Sequence, residues 1–101
     1  MDVRDPFHER LKIQDDIEKQ RLDFIRIDLG VCLTLASVAE TAISMGHREH
    51  AARTIASAEN GYSDMLRYFS QATGLTAEVE KELQSKFKQL RERLDRLQRL
   101  G

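Results

Sequence analysis

The sequence predicts an all-α fold, a three-helix bundle with a long first helix, and three observations carry that prediction. Apolar residues recur at steps of three, four and seven over most of the 101 residues. The single Pro lies at position 6, so no proline breaks a helix further along. Two glycine-centred breaks, at Gly46 and at Thr73-Gly74-Leu75-Thr76, divide the chain into three segments. A chain of 11.6 kDa is also below the length at which hydrophobic cores usually split, which gives one helical domain over 6–101 behind a disordered N-terminus at 1–5.

The first helix is expected over about 6–45. Asp5 can cap free backbone N–H groups, and Pro6 suits the first helical position because its missing N–H costs nothing there. Two apolar stripes follow. One carries Leu11, Ile17, Phe24, Val31, Leu35, Val38, Ala42 and Met45. The other carries Leu22, Ile25, Leu29, Leu33, Ala36 and Ile43. Together they predict a wide buried face touching more than one helix. Gly30 interrupts a good helical run at a cost of about 1 kcal/mol relative to Ala, so it marks a candidate kink or close crossing.

The second helix is expected over about 47–72, on the stripe Ala51, Ile55, Ala58, Tyr62, Met65 and Phe69, continuing through Gly61 because the stripe keeps its phase. Gly74 can take the left-handed conformation that ends it, and Thr76 can cap the third helix, expected over about 77–100. Val79, Leu83, Phe87, Leu90, Leu94 and Leu97 form that helix's seam, with Glu82/Lys86, Glu92/Arg96 and Asp95/Arg99 one turn apart outside it.

Sixteen Lys and Arg against seventeen Asp and Glu leave a net charge of −1, which gives no field to draw nucleic acid or an anionic membrane. The segment 86–99 is locally basic, with six basic and two acidic residues. Its apolar face is consumed by the leucine seam, however, and no aromatic interleaves after Phe87. No run of roughly 20 apolar residues exists, so no transmembrane segment is expected. The N-terminal segment lacks an apolar signal core, and Cys32 has no second cysteine to pair with, which points to a reducing cytoplasm.

Residues 35–58 carry Leu35, Val38-Ala39, Ala42, Gly46, Ala51, Ile55 and Ala58, a pattern similar to a single tetratricopeptide (TPR) hairpin. No second copy stands at a period of about 34 residues, so a repeat array is not expected. The stretch from Leu33 through Leu97, with its Gly46-His47-Arg48-Glu49-His50-Ala51 turn and Arg93 on a Leu-rich third helix, also resembles the microtubule-interacting-and-trafficking (MIT) three-helix domains. That resemblance implies peptide-binding grooves beside the third helix.

Catalytic constellations are missing. There is no phosphate loop, no nucleophile elbow and no Glu-x-x-His pair, and the chain has three His in all. Cys32 sits within an apolar stretch and reads as core. The spacing of Asp28 from Phe24, Val31 and Leu35 puts it on the apolar stripe, which requires a bundle edge or a partner such as Arg67. The function expected is a non-enzymatic helical protein–protein interaction or adaptor module without a cofactor. The alternative is a small metal-binding bundle or enzyme using His47, His50 and Glu40.

Helix lengths bear on the partner. At 1.5 Å per residue the three helices reach roughly 60, 39 and 36 Å, so the start of the first would project beyond the other two. An uncovered arm bearing Phe7, Leu11 and Ile17 would either fasten onto a second copy, giving the homodimer expected here, or bend back at a point such as Gly30. At the other end of the seam, Leu94 and Leu97 beside Arg93 and Arg96 are candidate contacts for an acidic protein partner.

Overall fold

The structure is a computed structural model and describes residues 6–100, with side chains described from Ile17 onward. Three helices follow in order, α1 (Pro6–Ser44), α2 (Arg48–Gln71) and α3 (Ala77–Leu100). Their bounds lie within one residue of those the sequence predicts, and the expected disordered N-terminus at 1–5 lies outside the described residues.

α1 ends where Gly46 adopts φ +78°. There the Gly46 N–H donates to the Ile43 carbonyl at 3.0 Å, and the His47 N–H donates to that of Ala42 at 2.8 Å. These two bonds satisfy carbonyls left without partners at the helix end, and the positive φ is available to Gly without a Cβ penalty. The second turn uses Gly74 at φ +71°. Thr76 then caps α3, its Oγ1 accepting from the Val79 N–H at 3.2 Å.

The helices run up, down and up. Glu18 of α1 reaches the far end of α2, its carboxylate accepting from the Thr73 N–H and from Thr73 Oγ1, both at 3.1 Å. Arg21 donates to the Gln71 carbonyl at 2.9 Å. α3 then climbs beside α1, with Arg26 paired to Glu82 at 3.3 Å and, higher up, Arg93 paired to Glu40 at 3.1 Å. Between α2 and α3, Arg91 donates to both Glu59 carboxylate oxygens, and its guanidinium stands 5.0 Å over the Tyr62 ring.

The core is built from Ile25, Leu29, Cys32, Ala36 and Ala39 of α1, Ile55, Ala58 and Met65 of α2, and Leu83, Phe87, Leu90, Leu94 and Leu97 of α3. The small residues have a geometric role. A Cβ on Gly61 would stand 2.7 Å from Cys32 Sγ, so α1 and α2 approach too closely at that level for any larger residue. Gly30 is different. α1 runs unbroken through it, and a Cβ there would meet nothing within 4 Å. The close crossing expected at Gly30 therefore occurs at Gly61.

Of the two α1 stripes expected to form a wide buried face, the one with Ile25, Leu29 and Ala36 is buried and the other only in part, through Ala42 and Leu35. Ile17, Phe24, Val31, Val38 and Met45 of the other stay exposed. A bundle of three helices presents two neighbours to α1, and these cover one side of it. A stripe rotated further around the axis has nothing above it.

Candidate interaction surface

Ile17, Phe24, Val31, Val38 and Met45 are spaced seven residues apart, and Ile27 lies one turn from Phe24 and Val31. Two helical turns separate each neighbour, so the five form a line along the outer side of α1 with Ile27 beside it. All six are between 41% and 66% exposed. Strict seven-residue spacing is the pattern by which one helix meets another along a seam.

The flank of this line is small and uncharged in its C-terminal half. Gly30, Thr34, Ser37, Thr41 and Ser44 follow at alternating steps of four and three. Each hydroxyl donates to the carbonyl four residues back: Thr34 to Gly30 at 3.0 Å, Ser37 to Leu33 at 3.2 Å, Thr41 to Ser37 at 3.1 Å and Ser44 to Glu40 at 3.1 Å. Thr34, Thr41 and Ser44, satisfied in this way, present a low surface that another backbone can approach without stranding polar groups, while Ser37 is also bonded by Arg93 of α3.

Two hollows flank the line where α1 meets α2. The first, of about 400 Å³, is lined by Thr34, Val38, Thr41, Met45, His47 and His50 among others. The second, of about 300 Å³, is lined by Ile17, Gln20, Arg21, Phe24 and Tyr68. Phe24 stands edge-on to Tyr68, with ring centroids 5.2 Å apart, and the two rings form part of the wall of the second hollow.

The other site residues named from the sequence are placed as follows. Ile17 is on the exposed line. The side chains of Phe7 and Leu11 lie outside the described residues. Leu94 and Leu97, expected as docking residues, are 0% and 2% exposed, covered by the other helices of the same chain. This corrects the expectation, because a side chain already enclosed in the core has no surface to offer a partner. Arg93 donates to Ser37 Oγ at 2.8 Å and to Glu40 at 3.1 Å, which ties α3 to α1. Arg96 is exposed.

The metal alternative does not assemble. Glu40 faces α3 through Arg93, whereas His47 and His50 line the hollow between α1 and α2. Among the described residues no three His, Cys, Asp or Glu side chains stand close enough to hold a metal ion. Asp28 is half-buried at the bundle edge, and the Arg67 suggested as its partner pairs with Asp64 at 3.1 Å instead. Burial pushes the Cys32 thiol up, with the Asp28 charge adding to the effect, so it stays protonated at neutral pH. Arg91 is held protonated far above neutrality, chiefly by its hydrogen bonds to Glu59.

No helix among the described residues is long and apolar enough to cross a membrane. The fold and this surface together define an all-α three-helix bundle with one helix face left open. No protein-family model, no curated protein and no solved structure matches the chain.

Proposed function

We propose that this chain is a non-enzymatic helical interaction module that self-associates through the outer face of α1. The observation that supports this most directly is the seven-residue line Ile17, Phe24, Val31, Val38 and Met45, exposed on a bundle whose core is already complete without it. Contiguous apolar surface on a small soluble domain costs solubility unless something covers it. A helix partner is the natural cover for a seam of this period.

A homodimer on this face moves the contact from the projecting arm to the body of α1, with Ile17 shared between the two. The adaptor role then rests on assembly rather than on chemistry, and the free thiol at Cys32 suits a reducing compartment such as the cytoplasm. Light scattering coupled to size exclusion tests the reading. The expected mass is about twice 11.6 kDa and falls on dilution. A mass of one chain at every concentration would overturn self-association.

A further inference from the structure

We propose that the occupant of the open α1 face is the same face of a second copy, laid antiparallel across a two-fold axis near Val31. The inference rests on the reading of self-association above and adds the direction and the level at which the two helices meet.

Area makes a second copy sufficient. The exposed parts of the six apolar residues on this face amount to about 600 Å² per protomer, so a symmetric pair removes roughly 1,200 Å², the lower edge of the range for stable interfaces. The pattern is also self-matching. Five residues at equal spacing, centred on Val31, read the same in both directions, so a two-fold rotation sets Ile17 opposite the partner's Met45 and Phe24 opposite the partner's Val38.

Shape favours antiparallel over parallel pairing. The N-terminal half of the face carries the bulk, in Phe24 and Ile27. The C-terminal half is low, with Thr34 and Thr41 bordering the 400 Å³ hollow. Antiparallel packing lets Phe24 meet that hollow, and lets the partner's Met45 meet the hollow at Ile17, Gln20 and Tyr68. Parallel packing would stack Phe24 on its own copy.

Charge favours it as well. Lys19, Arg21 and Asp23 surround the N-terminal half of the face, with Asp64 and Arg67 nearby on α2. From 29 to 47 the only charged residue of α1 and its turn is Glu40, already paired with Arg93 on the α3 side. Parallel pairing would set the two charged ends against each other and ask both to give up water, whereas antiparallel pairing sets each charged end against an uncharged one. Gly30 fits the same account. Beyond its own turns of α1, nothing lies within 4 Å of where its Cβ would be, yet it lies beside Val31, where the two helices would cross.

Cross-linking with a bis-maleimide of about 10 Å span tests the direction. Ile17→Cys and Met45→Cys change exposed side chains, and the parent with its buried Cys32 serves as the blank. In the antiparallel pair, one protomer's residue 17 lies roughly 40 Å from the partner's residue 17 at 1.5 Å per residue, but beside the partner's residue 45. A mixture of the two variants should therefore cross-link at least tenfold more than either alone. Efficient cross-linking of Ile17→Cys with itself would overturn the antiparallel arrangement and leave self-association standing. A dimeric mass without cross-linking in any combination would overturn the use of this face. A monomeric mass for the parent would overturn both readings.

Discussion

The Cys32 sulfur fills the space that a side chain at position 61 would need: a Cβ on Gly61 would come within 2.7 Å of it. Cys32 is buried, and its Sγ also approaches the Ala58 carbonyl at 3.8 Å, so it has little room to yield. Gly61→Ala should therefore destabilise the fold by about 1–3 kcal/mol, although Ala is the better helix former. Cys32→Ala combined with Gly61→Ala should recover part of that loss, as measured by urea denaturation. Additive effects would mean that the two residues do not share this space.

The same burial governs the thiol. With its pKa raised in the folded chain, Cys32 holds its proton over a wider range than in the unfolded chain. The stability this contributes is complete below the unfolded thiol pKa and is lost as pH rises towards the folded value. A thiol reagent at neutral pH should modify Cys32 at least a hundredfold more slowly in the native protein than in denaturant. Equal rates would show that α1 and α2 separate readily at this level.

Leu90 is fully buried, and Leu94 and Leu97 close the core at the end of α3. Leu90→Ala should cost about 2–5 kcal/mol, and Leu94→Ala should fall in the same range because its side chain is equally enclosed. Leu97→Ala should cost less, since it lies in the last turn, where helices fray. Thermal melts of the three variants check the order. A Leu94→Ala variant as stable as the parent would restore the docking role that burial argues against.

Much of the fold was legible in the chain because its punctuation is local. Gly46, Gly74 and Thr76 act within a few residues of themselves, so the helix ends could be read one by one. The seam of α3 was equally plain, since it is that helix's single apolar stripe. α1 was not, because it carries two stripes at helical spacing, and periodicity alone does not say which one faces inward. Cys32, Ala36 and Ala39 let the other helices come close on the side that also buries Ile25 and Leu29, which leaves Phe24, Val31 and Val38 on the side turned away. The link from Glu18 to Thr73 joins residues 55 apart and left no local signal. Of the two places expected for Asp28, the bundle edge holds and the pair with Arg67 does not, as Arg67 found Asp64 on its own helix. Seven-residue spacing at Ile17, Phe24, Val31, Val38 and Met45 was the signal for the open face, masked by the assumption that apolar stripes are covered within the chain.

The most direct test of the account is the mass of Val31→Glu, which places a charge at the midpoint of the open face. Light scattering should give one chain, 11.6 kDa, where the parent gives about twice that, with the circular-dichroism helix signal unchanged. In that monomeric background Gly30→Ala should stabilise the fold by up to about 1 kcal/mol, because no atom opposes the added methyl. Gln84→Glu, on an exposed position of α3, serves as the charge-matched control and should remain dimeric. A Val31→Glu chain that keeps the parent's doubled mass would contradict the claim that the outer face of α1 is where this protein meets its partner.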